Sequence, residues 1–317
     1  MTTAVHQPLV DWSADELRAF GVAPVRLHHQ LHQHALFSDD HLARILERLE
    51  RDDYYVNTMN TSRHDLTSRR EGEIKGLSGI EVLEAVRTGR IWILVLQPDR
   101  LDSAYAALLR QIYDEISNRV PGFRTFHEKM TLLISSPNIQ VYYHADVPGQ
   151  TLWQVRGHKR VYVYPNKEPF LDQACLEKIV LGEAHEISLP YREEFDRHAT
   201  VFDLLPGEML HWPLNAPHRI VNGDCVNVSF TTEHFTAPIR RQYYVNFANG
   251  ILRHRFGFSQ LSQHTSGFSY WAKVGLAAAY KLTGNHKKRR KLLHVEFAVD
   301  PHAQDGVRTI PGYAYRR

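Results

Sequence analysis

Short strand patterns separated by turns fill the middle of this chain and limit the folds it can adopt. We predict strands at 129–136, 139–146, 150–156, 159–164, 185–189, 200–204, 208–212, 217–222 and 225–232. Proline, glycine and asparagine lie between these runs of β-branched and aromatic residues. This many short strands in about a hundred residues predicts a double-sheet jelly roll, a double-stranded β-helix, with another kind of β-barrel as the alternative.

Helical patterns flank this β-rich core on both sides. The clearest flanking patterns are a strand at 24–31, a helix after the N-cap Ser38, a helix over 102–120, and helices at 239–253 and 269–282. The polar stretch 57–76 predicts either a loop over a cleft or an exposed connection. We therefore predict one mainly β domain with helical flanks, divided into an N-terminal strand and helix flank, a jelly-roll core and a C-terminal helical region over 1–128, 129–235 and 236–317.

The charge of the chain is concentrated in one short run. The net charge is +3, and the basic run 287–291 supplies five of the 38 basic residues. The rest of the chain, which carries the 35 acidic residues, is close to neutral. A neutral body argues against a surface built for nucleic acid, whereas the basic run is a candidate to bind an anionic partner.

Composition also predicts the compartment. The chain has 43% apolar and 23% charged residues, as ordinary globular proteins do, and only two cysteines. Two cysteines are too few for a disulfide framework. We see no secretory signal pattern, and the most apolar stretch, 274–280, is far shorter than the ~20 residues that span a bilayer. We therefore predict a cytoplasmic protein without a membrane span.

A histidine and an aspartate close one of the predicted strands. His144 and Asp146 are two residues apart, so on an extended strand both side chains point to the same face. His218 opens a later predicted strand, and Lys159 lies on the second run after the turn that follows Asp146. Two histidines and one carboxylate on a strand-rich scaffold are the ligand set of non-haem Fe(II) oxygenases.

Four motifs occur in an order that resembles the Jumonji-C family of 2-oxoglutarate oxygenases. They are the HxD triplet 144–146, QVRGHK at 154–159 before an aromatic strand, PGEMLHWP before the histidine at 218, and VSF at 228–230. The sequence is most similar to the small hydroxylase branch of that family, which includes the asparaginyl hydroxylase acting on hypoxia-inducible factor. The resemblance covers 130–232, less than half of the chain.

The resemblance implies roles for particular residues. His144, Asp146 and His218 match the iron ligands of the family, which would make them the catalytic centre. Lys159 falls where the family places the cation that pairs with the distal carboxylate of 2-oxoglutarate. Gln150 falls where relatives often have an asparagine near this co-substrate. The last barrel strand would bring Ser229 into contact with it.

Two aromatic residues are further candidates for the co-substrate pocket. Strand alternation places the hydroxyl of Tyr142 on the same face as His144 and Asp146. Trp153 is a candidate wall of the pocket, with core packing as the favoured alternative. The sequence also departs from the family, with Ala216 and Pro217 where relatives commonly have bulky aromatics, and with Thr231 and Thr232 in place of tryptophans. These changes affect the expected substrate pocket, so no substrate follows from any relative.

The expected activity is Fe(II)- and 2-oxoglutarate-dependent oxygenation by a single catalytic domain. Such an enzyme uses O2 to hydroxylate an amino acid, a peptide or a small metabolite, and releases succinate and CO2. A non-catalytic cupin-like module that binds a metal or another ligand is the first alternative. A nucleic-acid- or chromatin-associated demethylase is the second, and it rests on the family resemblance together with the basic run 287–291.

The C-terminal helical pattern leaves two packing arrangements open. Apolar residues surround this predicted helix on more than one side, namely Trp271, Val274, Leu276, Ala277, Ala278 and Tyr280. They predict either packing against the barrel or a homodimer contact. The helical dimerisation of the hydroxylases that the chain resembles favours the second arrangement.

Overall fold

The computed structural model describes residues 9–62, 64–284 and 292–317. The basic run 287–291, which is predicted to bind an anionic partner, lies outside the described residues. The helices are α1 Ala14–Ala19, α2 Asp39–Leu46, α3 Gly79–Thr88, α4 Pro98–Leu101, α5 Ser103–Arg119, α6 Gln173–Val180, α7 Ala237–Phe256 and α8 Gly267–Leu282. No helix in these three ranges is long and apolar enough to cross a membrane.

The described chain also contains many strands. These are β1 Val10–Asp11, β2 Val25–His29, β3 Tyr54–Thr58, β4 Arg70–Glu73, β5 Trp92–Leu96, β6 Phe126–Ser135, β7 Gln140–His144, β8 Gly149–Arg156, β9 Lys159–Val163, β10 Thr200–Leu204, β11 Glu208–His211, β12 His218–Asn222, β13 Asn227–Phe235, β14 Leu292–Val299 and β15 Val307–Arg316. The structure is therefore mainly β with helical flanks, as the sequence predicts.

Two sheets form the core of the fold. Within the described residues the large sheet has the order β1-β2-β11-β8-β13-β6-β5-β3-β4-β14-β15, and the small sheet has the order β10-β9-β12-β7. Strands β11, β8, β13 and β6 of the large sheet pack on the four strands of the small sheet. All neighbouring strands in these two layers are antiparallel. Two facing antiparallel layers of four strands are the jelly roll.

The space between the two layers is filled by alternate side chains of each strand. Leu133, Leu152 and Leu210 come from the large sheet and pack against Val161 and Ile220 of the small sheet. Residues between these positions point to the outside of the barrel, as the two-residue period of a strand requires. These contacts between the two sheets identify the inner face of each strand, and the candidate site residues lie on the same faces.

Helices cover the outer face of each sheet. Helices α2, α3 and α5 contribute buried apolar residues to the core on the outer face of the large sheet. The outer face of the small sheet is covered by α6, α7 and α8. The Ser38 hydroxyl accepts a hydrogen bond from the His41 amide at 3.3 Å, which confirms it as the N-cap of α2.

Local pattern was misleading in three places. The strand predicted at 185–189 is wrong, because Glu186–Ser188 forms a 3-10 turn capped by the His185 ring, which accepts a hydrogen bond from the Ile187 amide. The polar stretch 57–76 is not only a loop, since β4 lies within it and pairs with β3. Helix α6 was not predicted.

The C-terminal region is not entirely helical, contrary to the prediction for 236–317. After α8 the chain forms a hairpin of β14 and β15, and β14 pairs with β4 in parallel, with Phe297 beside Gly72. This pairing joins segments more than 200 residues apart, so no local pattern reveals it. The hairpin extends the large sheet at the edge farthest from β1.

Helix α8 has one covered side and one open side. Tyr270 and Ala277 are buried, and Ala277 belongs to the core on the outer face of the small sheet. Phe268, Trp271 and Leu282 are 91%, 67% and 88% exposed. The helix therefore packs on the barrel through one side, while the predicted homodimer contact through its other side stays a prediction.

The close contact between β4 and β14 leads to a stability prediction. An added Cβ on Gly72 would overlap the ring of Phe297, which is fully buried. We expect Gly72→Ala to lower the free energy of unfolding by about 1–3 kcal/mol, as overpacking does. Chemical denaturation measures this, with Gly275→Ala in α8 as the control.

Nothing lies within 4 Å of an added Cβ on Gly275, which is in the interior of a helix. The Gly275→Ala control should leave the free energy of unfolding unchanged or raise it by up to about 1 kcal/mol. A Gly72→Ala variant as stable as the wild type would contradict the pairing of β14 with β4.

Candidate metal centre and co-substrate pocket

Three potential metal ligands converge at one end of the barrel. His144 is the last residue of β7, Asp146 follows two residues later, and His218 opens β12. His144 and His218 are directly opposite each other in the antiparallel pair, and their ring centroids are 4.1 Å apart. One ligand atom from each of the three residues lies within 4.8 Å of the other two. All three side chains are largely buried.

The hydrogen bonds of the two histidines determine which nitrogen is free. His144 Nδ1 lies 2.7 Å from the carbonyl oxygen of Tyr142, and His218 Nδ1 lies 3.1 Å from that of Ala216. A carbonyl can only accept, so each Nδ1 carries the proton and each Nε2 has a free lone pair. The two Nε2 atoms are 3.9 and 3.5 Å from the Asp146 carboxylate. This donor set fits a transition metal bound by two imidazoles and one carboxylate.

Asp146 is oriented by two amide side chains. With its nitrogen toward Asp146, the Gln150 amide donates to the two carboxylate oxygens at 2.8 and 2.7 Å. The Asn215 side chain donates to the Asp146 backbone carbonyl at 2.5 Å. Gln150, predicted to lie near the co-substrate, is therefore placed against a metal-ligand carboxylate. Asn215 was not singled out from the sequence.

Burial opposes charge on every member of the triad. Desolvation lowers the pKa values of His144 and His218, so both imidazoles are neutral. Desolvation, assisted by the carboxylates of Glu186 and Glu233, raises the pKa of Asp146 well above its ordinary value. A divalent cation among the three ligand atoms would offset the cost of an ionised Asp146.

Lys159 enters the barrel between the two sheets. Its Nζ donates to the Ser229 hydroxyl at 2.8 Å, and the residue is only 4% exposed. Since β9 belongs to the small sheet and β13 to the large one, this bond crosses the barrel interior. Burial lowers the pKa of Lys159 to about 7. No ion pair of Lys159 occurs among the described residues, so a buried amine has one neutral partner and capacity for an anion.

The two aromatic candidates have other contacts. The Tyr142 hydroxyl donates to the carbonyl of Asp65 at 2.8 Å and lies 3.2 Å from the Ser68 hydroxyl. The register between β7 and β12 shifts just before His144, which interrupts the alternation on which the prediction for Tyr142 rested. The hydroxyl of Tyr142 thus contacts the loop that precedes β4.

Trp153 packs in the core, which is the alternative that the sequence favours over a wall of the pocket. It stacks on Phe230 at 5.5 Å between ring centroids and donates from its indole nitrogen to the Thr232 hydroxyl at 3.0 Å. Phe230 is next to Ser229 in β13, so these two side chains point to opposite faces of the sheet. Trp153 therefore packs in the core on the outer face of the large sheet and is not a wall of the space that contains Ser229.

Two acidic residues of the site were missed in the sequence. Glu233 follows Ser229 at a spacing of four, so strand periodicity alone would have placed both on one face. Glu186 lies on the turn that was predicted as a strand. Its proximity to Asp146 has no local signal.

Taken together, the fold and the site define a jelly-roll protein with a His-Asp-His centre able to hold a metal. Comparison with family models and with curated proteins found no match. The fold is that of ycfD from Escherichia coli, whose X-ray structure aligns with 87% of this chain and 70% of that chain, at 18% identity and a TM-score of 0.50. A structure of YcfD, described as a ribosomal oxygenase in complex with cobalt and 2-oxoglutarate, aligns with 89% of this chain and 70% of that chain, at 16% identity and a TM-score of 0.48.

The convergence of the triad leads to a prediction about metal binding. We expect His144→Ala and Asp146→Ala each to weaken Co(II) or Fe(II) binding by on the order of 100-fold or more, because each removes one of three ligands. Anaerobic calorimetry and the visible spectrum of the Co(II) protein measure this. His264→Ala, at an exposed histidine, is the control and should bind normally. Unchanged affinity in both ligand variants would contradict the site.

Proposed function

We propose that this protein is an Fe(II)/2-oxoglutarate-dependent oxygenase that hydroxylates an amino acid, a peptide or a small metabolite. The observation that carries the proposal is Lys159, a buried amine inside the barrel that holds the triad, whose single hydrogen-bond partner among the described residues is the neutral Ser229 hydroxyl. Such a group is costly to bury unless an anion pairs with it. A dicarboxylate whose other end binds the metal meets that requirement.

The ligand count agrees with this chemistry. His144, Asp146 and His218 would hold Fe(II) and leave three positions, two for the 2-oxoacid and one for O2. Bound iron would supply the oxidative decarboxylation of 2-oxoglutarate to succinate and CO2 that is coupled to hydroxylation. Gln150 would keep the Asp146 carboxylate in place, and Lys159 with Ser229 would bind the distal carboxylate of the co-substrate.

The interior of the barrel supports the same role. The apolar residues next to the site come from both sheets and exclude water from the space between them, among them Leu133, Leu152, Val161 and Ile220. In a dry site the attraction between the ammonium of Lys159 and a carboxylate is stronger than in water. The chain thus combines a metal centre with a place for an anionic co-substrate.

The alternatives have weaker support. A cupin-like module that only binds a metal has no use for a buried lysine without a counter-ion. The demethylase alternative depends on 287–291, which lies outside the described residues. YcfD is described as a ribosomal oxygenase, but only its fold is shared at this identity. A cytoplasmic location and a homodimer through α8 remain proposals from the sequence.

Removal of the charge on Lys159 tests the proposal. Lys159→Met keeps much of the packing of the side chain and removes its donor. We expect the affinity for 2-oxoglutarate to fall by about 1.5–3 kcal/mol, the value of a hydrogen bond to a charged group. The measurement is calorimetry of the Co(II) protein with 2-oxoglutarate. Lys167→Met, at an exposed lysine, should retain full affinity.

Two outcomes of this calorimetry would contradict parts of the proposal. Equal affinity of the wild type and Lys159→Met would remove this lysine from the site. A wild-type protein that binds the metal but not 2-oxoglutarate would support the cupin-like alternative.

The low pKa of Lys159 makes co-substrate binding depend on pH. Its pKa is about 7 in the free site, and pairing with a carboxylate raises it. The contribution of the paired lysine to binding is complete below the free-site pKa of about 7, and it declines as the pH rises from there through the raised pKa of the complex. We therefore expect binding at pH 8 to take up a proton and to weaken at higher pH.

Calorimetry at pH 8 in two buffers of different ionisation enthalpy measures this proton uptake. In Lys159→Met the buffer-dependent part of the enthalpy should disappear. Affinity of the wild type that rises with pH, or binding without proton uptake, would contradict the assignment.

A further inference from the structure

Two tight turns meet at the end of the barrel away from the triad. One turn joins β8 to β9 at 157–158, and the other joins β12 to β13 over 223–226. Strand β12 begins at His218 and ends at Asn222, which is opposite Lys159 at the start of β9. The two turns are therefore next to each other, at the other end of β12 from the candidate metal centre.

An imidazole, a thiol and a carboxylate are grouped on these turns. His158 Nδ1 lies 3.4 Å from Cys225 Sγ, and His158 Nε2 lies 3.9 Å from Asp224 Oδ1. One ligand atom from each of the three residues lies within 4.8 Å of the other two. Cys225 is half-buried, whereas the other two side chains are exposed. The cluster is thus open to an ion from solution.

Side-chain amides hold the backbone of the two turns in place. The Asn227 amide nitrogen donates to the Cys225 carbonyl at 3.0 Å. The Gln154 amide nitrogen links the turns, because it donates to the Gly157 carbonyl at 2.9 Å and to Asn227 Oδ1 at 2.8 Å. Both amide side chains are fully buried. The donor atoms of the cluster are therefore attached to backbone that is positioned before any ion binds.

Gly223 makes room for the imidazole. Its amide donates to the His158 carbonyl at 2.9 Å, so the two turns also touch directly. An added Cβ on Gly223 would overlap the His158 ring, although the φ of this glycine is not in the left-handed region. The close approach of the ring, and not the backbone conformation, therefore explains the glycine. This contact keeps the ring beside the thiol of Cys225.

Asp224 is the carboxylate available to an ion at this cluster. Asp203 of β10 is nearby, since the charge of His158 acts on it, but Arg160 binds its two oxygens at 2.6 and 3.0 Å. In the described part of the chain the Asp224 carboxylate has no hydrogen bond, and its one ion pair is the 3.9 Å contact with His158. An exposed side chain can rotate, so Asp224 can bring an oxygen to an ion held by the other two donors.

The distance between the sulfur and the nitrogen suits a tetrahedral ion. Bonds of about 2.3 Å to sulfur and about 2.0–2.1 Å to nitrogen separate these two donor atoms by about 3.5 Å at a tetrahedral angle. The 3.4 Å between Cys225 Sγ and His158 Nδ1 agrees with this separation. A thiolate, an imidazole and a carboxylate are ligands of Zn(II), whereas Mg(II) and Ca(II) take oxygen ligands.

We propose that His158, Asp224 and Cys225 form a second metal site, suited to Zn(II), at the end of the barrel opposite the triad. The Cys225 thiol loses its proton on binding and becomes a thiolate ligand, and water takes the fourth position. Lys159 follows His158 directly. Ser229 lies four residues after Cys225, so the ion joins the turns that precede both residues proposed to bind the co-substrate. The site itself does not depend on the proposed function.

Cobalt spectroscopy separates this site from the triad. A thiolate bound to Co(II) gives a charge-transfer band in the near ultraviolet, and the triad contains no sulfur. We expect the reduced, metal-free wild-type protein to show this band when Co(II) is added, and Cys225→Ser to lose it. Cys175→Ser is the matched control and should keep the band. Cys175 is also half-buried and belongs to no potential metal-ligand group among the described residues.

The imidazole and the carboxylate are tested by the same band. His158→Gln and Asp224→Asn should each weaken Co(II) binding at this site by about tenfold or more, because each removes one ligand. The controls are His264→Gln and Asp114→Asn, at exposed side chains, and they should bind as the wild type does.

Three outcomes would overturn the assignment. They are the absence of the band in the wild type at millimolar Co(II), its survival in Cys225→Ser, and wild-type affinity in both His158→Gln and Asp224→Asn. The last result would mean that the thiol binds cobalt without the other two donors. Since 2-oxoglutarate binding is a separate measurement, failure of the proposed function would leave this result unchanged.

Discussion

The pairing of β7 with β12 is the constraint on which the candidate centre depends. It places His144 and His218 opposite each other on neighbouring strands, with Asp146 next to both. Backbone carbonyls hold the Nδ1 atom of each ring, so both Nε2 atoms face the same point. A donor set built on strands is rigid, and rigidity is what lets a protein hold an open coordination site.

The second constraint is the cost of a buried amine. Lys159 crosses from the small sheet to the large one, and its only hydrogen-bond partner in the described part of the chain is the Ser229 hydroxyl. Replacement by an apolar residue would relieve that cost, which is the basis for proposing an anionic ligand beside Lys159. Glu233 is a further half-buried ionisable group, and desolvation raises its pKa while the charge of Lys129 opposes that rise. Stability and chemistry thus make opposite demands on these residues.

Strand periodicity explains most of what was predicted correctly. The core strands and the helices at 39–46, 103–119, 237–256 and 267–282 follow from patterns contained within each segment. The errors have two causes, a local turn geometry that strand alternation does not distinguish and dependence on distant partners. The stretch 185–189 is a capped turn, and 292–316 forms strands because β14 finds β4 across the sheet. The exposure of only one side of α8 likewise depends on what packs against it.

The sequence by itself determined the jelly-roll class, the spacing of His144 and Asp146 on one strand end, and the presence of Lys159 after the next turn. Each of these is a local property of alternation and turns. Tertiary structure alone decided that Trp153 stacks on Phe230, that Gln150 contacts Asp146, and that the charge of Glu186 acts on Asp146. Those outcomes depend on which face of each sheet is covered, and that is settled only when all layers pack together.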